Sequence, residues 1–209
     1  MNSDEVNEWL GAVHLPPGMV LGFFYDWQEQ RWGCDPEDAG HWRVAATPLD
    51  QAVPAEGAGP AESFTGHTVD FAAVWTVPGL EEPVVEACRG KHRWQRRDPV
   101  EDFYRALEND DEVPLHRVLG WPDLVEGPMQ LECQLAANGV HHGNPAGLEG
   151  PRVEELRPGA GDWLLLWQLD SDDAMDWDWA GSGRLYYWIR RQDLAVGDFD
   201  RSWLVLQCP

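Results

Sequence analysis

Five carboxylates fall within nine residues between Asp170 and Asp178: Asp170, Asp172, Asp173, Asp176 and Asp178. Hard cations such as Ca²⁺ or Mg²⁺ need several carboxylate and carbonyl oxygens at once. Asp170, Asp172 and Asp176 are therefore the residues that would hold a divalent cation if this loop folds on itself. The EF-hand pattern is absent, because no Gly stands sixth from Asp170 and no Glu stands twelfth. Crowded carboxylates also raise one another's pKa, which is a route to acid–base chemistry. The plainer expectation is a solvated turn between two strands, with one Asp capping a backbone N–H. Trp177 and Trp179 interleave with the acids, and Arg184 follows them. Asp170, Asp172, Asp176, Asp178, Trp177, Trp179 and Arg184 thus form a candidate ligand- or partner-binding set, to which His116 is added from elsewhere in the chain. An imidazole can serve as base or switch near neutral pH; His116 can equally anchor the turn that follows it through a hydrogen bond.

Other reactive side chains carry weaker patterns. His141 and His142 are adjacent, and neighbouring side chains rarely ligate one ion together, so two turn-exposed imidazoles are expected. No HExxH or HxH spacing accompanies them. Cys133 lies in an apolar stretch, which predicts a buried, inert thiol rather than a nucleophile. GxSxG, Walker A and strand-following GxGxxG patterns are all missing, which argues against nucleophile-elbow hydrolases, P-loop NTPases and Rossmann oxidoreductases.

The elements that must position these groups are mostly strands. The run WLLLWQLD (163–170) is almost continuously apolar and suits a strand buried on both faces. RLYYWI (184–189) and WLVLQC (203–208) read the same way, and MQLECQLA (129–136) alternates apolar and polar residues as a half-buried strand does. In the first half, strands are expected at 20–25, 42–47 and 69–77. A helix is expected at 98–109, with Asp98 as N-cap, Pro99 at the first helical position and Glu101 at the third. Its Val100, Phe103, Tyr104 and Leu107 share one face, expected to be buried; a further helix is possible at 81–88. Residues 48–63 are rich in Pro, Ala and Gly and read as a surface loop. About seven strands with one or two helices give an α+β class, mostly antiparallel, in a single domain over 1–209. The stretches after Gly18 and Gly183 echo one another, which hints at an internal duplication.

Composition narrows the partners. Against 37 Asp and Glu stand 15 Lys and Arg, a formal charge of −22, which opposes general binding to nucleic acid or anionic membrane. Five of the basic residues cluster at 89–97 (RGKHRWQRR), expected to pair with acids of the same protein. Thirteen Trp residues supply an aromatic core, and potentially a groove. Cys34, Cys88, Cys133 and Cys208 form no CxxC pair, and no secretory leader or apolar run of about 18 residues is present. Free, mostly buried thiols in a cytoplasmic protein are expected.

The segment from His116 to Asp123, HRVLGWPD, resembles the HxLLGYPD signature of the YwqG-like family, the DUF1963 domain. Residues 129–135, 163–173, 183–193 and 195–208 resemble its later motifs, in family order. LPPGMVLGFFYD, WGCDPEDAGHWRV and the Pro-rich loop fit its first half, so the resemblance covers nearly the whole chain. It implies an α+β fold with internal duplication, and no reaction. Two departures stand out. Members usually carry a further N-terminal segment whose strand pairs with the first one; here that partner strand is not found, which predicts an open sheet edge and a possible homodimer by strand pairing. Members also usually show an Asp where this chain has Gly181.

Two functions are expected from this reading. The first is an acidic interaction protein, an immunity or regulatory partner of a basic protein, since acidic surfaces steer quickly onto basic ones and Trp makes a good interface anchor. The alternative is a small-molecule or divalent-cation-binding protein, or an enzyme, using the 170–178 loop and its Trp residues.

Overall fold

The computed structural model describes residues 1–53, 67–89, 99–107 and 114–209. Its centre is a four-stranded antiparallel sheet in the order β3-β4-β5-β6, formed by Arg117–Val118, Trp163–Asp170, Arg184–Arg190 and Trp203–Gln207. All five residues of β6 are buried, as are the central five of β5. That explains their unbroken apolar sequences. β4 carries a register shift between Leu165 and Trp167, which re-aims its second half.

A second antiparallel sheet pairs β1 (Met19–Tyr25) with β2 (Trp42–Pro48). The aromatic side chains of β1 lock it onto the larger sheet. Phe23 meets Trp167 edge-on at 4.3 Å and Tyr187 at 5.1 Å, and the Tyr187 hydroxyl donates to the Phe24 carbonyl. Trp42 and Trp203 stack edge to face at 4.9 Å. The Trp203 indole donates to the Gly33 carbonyl at 2.8 Å. Gly33 (φ +80°) lies so close to β6 that a Cβ there would sit 1.8 Å from the Leu204 carbonyl oxygen, so no other residue fits without moving the strand.

The α+β class and the mostly antiparallel strands hold, and five strands fall within a residue or two of their expected ends. The helices are more numerous than expected: six among the described residues. α1 (Ser3–Leu10) is capped by the Asn2 side chain and closed by Gly11. Ahead of it, Met1 exchanges two backbone hydrogen bonds of 2.8 Å with Leu21. The edge of β1 expected to lie open is thus covered at Val20–Leu21 by Met1–Asn2. α2 (Pro83–Arg89) occupies the possible helix at 81–88, and α3 (Pro99–Leu107) the expected one at 98–109. Asp98 and Asn109 lie outside the described residues. The expected buried face of α3 is shallow, because Val100 and Tyr104 are half-buried and Phe103 is exposed.

The expected strand at 129–136 is a helix, α4 (Gln130–Ala136). Met129, Cys133 and Ala136 face the main core, while Leu131 and Leu135 pack with Val153 and Leu156 of α5 (Pro151–Leu156). A short helix buried on two sides puts apolar residues at alternate positions and so imitates a strand. The expected strand at 69–77 is irregular, with Val69, Val74, Trp75 and Val77 exposed. Its neighbours then make no continuous buried face. A sixth helix, α6 (Arg191–Val196), follows β5 directly. Of the expected surface loop at 48–63, residues 54–63 lie outside the described residues. No described helix is long and apolar enough to cross a membrane.

Candidate functional site

The acidic segment is a closed turn between β4 and β5, and backbone donors occupy its carboxylates. Asp170 ends β4 and is 7% exposed. One of its oxygens accepts from Ser171 N–H at 3.0 Å and pairs with Arg184 Nε at 2.8 Å; the other accepts from Leu115 N–H at 2.8 Å. Asp172 accepts from Ala174 N–H at 2.9 Å. Asp178 caps the tip, accepting from Gly181 N–H at 3.0 Å and Ser182 N–H at 2.8 Å. Asp178 thus supplies the carboxylate that fills this corner, three residues before Gly181. Asp176 is exposed in a left-handed conformation.

His116 joins this turn to the signature segment. Its Nδ1 accepts from Asp170 N–H at 3.2 Å, so the ring proton sits on Nε2, which donates to Asp172 at 3.2 Å. That bond holds the Asp172 carboxyl below the usual carboxylate range. The ring meets Trp177 edge to face at 5.8 Å, and Trp177 lies 5.7 Å from Trp179. The Trp179 indole donates to the Asp170 carbonyl at 3.0 Å. The structure therefore brings together Asp170, Asp172, His116, Trp177, Trp179 and Arg184, and leaves Asp176 and Asp178 outside that contact set. Asp170, Asp172 and Asp176 do not converge as a cation site: among the described residues, no group of three or more His, Cys, Asp or Glu side chains could hold a metal ion.

The signature continues as a second polar clasp. Arg117 pairs with Asp123 and donates to the Trp121 carbonyl at 2.9 Å. Gln168 is fully buried; its carbonyl accepts from Asp123 N–H at 2.9 Å and its amide donates to the Asp123 carboxylate at 3.1 Å. The Tyr186 hydroxyl and Arg184 both donate to the Asp123 carbonyl, at 2.6 and 3.2 Å. Between these anchors Leu119 (φ +59°) and Gly120 (φ +74°) take left-handed conformations. A Cβ on Gly120 would lie 2.6 Å from Thr76 Oγ1, the atom that accepts from Trp121 N–H. A strained backbone held this firmly is a reason to look at what it faces.

It faces a cavity of about 680 Å³. One wall is the signature tip, Leu119 to Pro122. The others come from the starts of α2 and α4, the 157–161 turn, the beginning of β4 and the junction of β5 with α6. Its lining is mostly apolar and includes Trp121, Trp163 and Trp188. Trp163 is positioned by Gln134, which accepts its indole N–H at 2.9 Å, and by Arg190 stacked over its ring at 4.8 Å. Two lining residues, Trp188 and Gln130, carry a buried polar atom without a partner among the described residues, and a third, Glu82, is a buried carboxylate. Trp188 is 1% exposed, and its indole N–H has no partner among the described residues. Glu82 is 1% exposed, and its carboxylate accepts from Gln130 Nε2 at 3.0 and 3.1 Å. Burial pushes the Glu82 carboxyl up, with the Gln130 bond opposing it. The same orientation leaves the buried Gln130 Oε1 without a donor.

None of these cavity groups figured among the expected site residues. Trp121 was readable as part of the signature, and Trp188 as part of an aromatic strand. Glu82 and Gln130 carried no sequence signal, since they meet across 48 positions. The remaining expectations divide. Cys133 is buried and its thiol is pushed up by burial, as an inert thiol should be. Cys34 and Cys208 are half-buried and Cys88 is exposed, so the cysteines are free but not mostly buried. His141 is exposed and pairs with Asp35 at 3.0 Å, but His142 is buried, contrary to the expected pair of exposed imidazoles. Its backbone N–H donates to the Cys34 carbonyl, and burial lowers the pKa of its ring. Of the basic cluster, Arg89 pairs with Glu86 and Glu101 at 3.6 and 2.7 Å; residues 90–97 lie outside the described residues.

The family model of DUF1963, a domain of unknown function, matches residues 1–208. The chain belongs to that family. No curated protein matches it.

Proposed function

For this DUF1963 member we propose that the function is binding of a small organic molecule in the cavity behind the signature loop. One observation carries the reading. Trp188 and Gln130, which line the cavity, carry a buried indole N–H and a buried amide oxygen without partners among the described residues, near the 1% exposed Glu82. Buried polar groups are normally paired, because an unmade hydrogen bond costs about 1–3 kcal/mol. A largely apolar cavity with a few convergent polar atoms is the usual form of a ligand site. The acidic turn at 170–178 then serves as the anchor that fixes the signature loop, and through it Trp121. Native mass spectrometry of protein isolated without denaturants from its own host tests the reading. Retained mass of one to a few hundred daltons, lost from a Trp188→Ala variant that still folds, is expected; retention unchanged in that variant would place the ligand elsewhere.

A second reading, partnership with a basic protein, is favoured by the −22 charge and by Trp75, which is fully exposed beside the exposed Val74. Association on this reading is steered by charge and weakens with salt. Binding unchanged between low salt and about 0.5 M salt would contradict it. The four free cysteines are in keeping with a reducing compartment, and we place the protein in the cytoplasm on that ground.

A further inference from the structure

We propose that the cavity's ligand is a cationic amine with an apolar, aromatic-sized body, its ammonium group taken by Glu82 and Gln130. The inference rests on the cavity being a binding site and adds the chemical class. Of the two polar side chains where α2 and α4 begin, Glu82 has one amide group as donor for its two oxygens and Gln130 Oε1 has no donor among the described residues. The Glu82 carboxylate has the Gln130 amide as its hydrogen-bond donor. Reversing that amide would set its oxygen against the carboxylate, so Gln130 Oε1 stays the orphan. A group that supplies several N–H donors and a positive charge satisfies both residues at once. A neutral hydroxyl supplies one donor, and an anion supplies none.

The other charges around the cavity do not reverse this preference. Arg157 is committed to Glu154 through three contacts of 2.8–3.3 Å. Arg191 and His14 are exposed, where water screens them. Glu82 is the deeply buried ionisable group of the lining. The walls suit the rest of such a molecule. Trp121 presents the more open aromatic surface of the lining, with the edges of the buried Trp163 and Trp188 beside it. Aromatic walls also attract a cation directly.

Isothermal titration calorimetry of the full chain at pH 7.5 tests the proposal with three probes of nearly equal shape. These are phenethylamine (cation), 2-phenylethanol (neutral) and 3-phenylpropionate (anion). We expect phenethylamine to bind at least tenfold more tightly than either of the others. Glu82→Gln should remove that advantage, bringing phenethylamine to within twofold of 2-phenylethanol. Gln130→Leu should weaken the amine likewise, and serves if Glu82→Gln does not fold. Equal binding of amine and alcohol, or preference for the anion, overturns the amine inference and leaves the cavity reading standing. No binding of any probe overturns both.

Discussion

Replacing Asp170 by Ala would remove the acceptor for Leu115 N–H, Ser171 N–H and the Arg184 side chain in one step. Asp170 is 7% exposed, and the side chain of Arg184 is 21% exposed, so neither group can turn fully to water. Stranding one member of a buried ion pair costs about 3–5 kcal/mol, a large share of the 5–15 kcal/mol that holds a domain together. We expect Asp170→Ala to fall in that range. Asp170→Asn keeps one carbonyl oxygen for a backbone donor and should cost about 1–3 kcal/mol. Arg184→Met leaves the carboxylate its two backbone donors and should also cost less than Asp170→Ala. The double variant Asp170→Asn, Arg184→Met should show a coupling of about 1–3 kcal/mol between the two sites. Urea unfolding followed by Trp fluorescence, with linear extrapolation, reads the four variants against the parent protein. A loss below about 1 kcal/mol for Asp170→Ala would refute the structural role. The acidic turn would then return as a ligand site in its own right.

Three further outcomes follow from the same geometry. Glu132 is half-buried, and burial, with Glu126 adding to it, raises its pKa from 4.5 to about 7. The folded state therefore holds the proton more tightly than the unfolded state, and Glu132 costs stability progressively as pH rises through 4.5–7. The full shift is worth about 3 kcal/mol, and residual hydration trims it, so Glu132→Gln should stabilise the protein by about 1–3 kcal/mol at pH 8 and have little effect below pH 4.5; thermal melts at both pH values check this, and a variant less stable at pH 8 would contradict it. Nitrogen-15 NMR of His116 should find the ring proton on Nε2 at pH 8, since Nδ1 accepts from Asp170 N–H; a proton on Nδ1 would break the assigned network. Gly33→Ala should cost about 2–4 kcal/mol, because the added carbon would meet the Leu204 carbonyl and φ is +80°; an unchanged urea midpoint would show that this loop stands off β6.

The strands were readable because their burial is simple. β4, β5 and β6 are hidden on both faces, and each appears as an apolar run. α4 defeated the same logic, since its seven residues bury one stripe against the sheet and another against α5. The signature loop was readable as a unit, and its His116 does anchor a turn, though the turn it ties down is the acidic one 54 residues away. The five acids drew attention as a cation site, yet a row of Asp is also what a tight reversal needs to satisfy its own N–H groups. The cavity was not legible because its wall is assembled from segments near residues 82, 120, 130, 160 and 190. No local pattern marks Glu82 or the Trp188 N–H; what sets them apart is the burial of a carboxylate and of an unpartnered indole N–H, which emerges once the chain is folded.

Fluorine NMR of the protein labelled with 5-fluorotryptophan tests the central claim most directly, because each indole reports its own surroundings. During titration with phenethylamine or a fragment that binds, the resonances of Trp121, Trp163 and Trp188 should shift together, while Trp177 and Trp179 of the acidic turn stay in place. Shifts confined to Trp177 and Trp179 would contradict the account and return the binding site to the acidic turn.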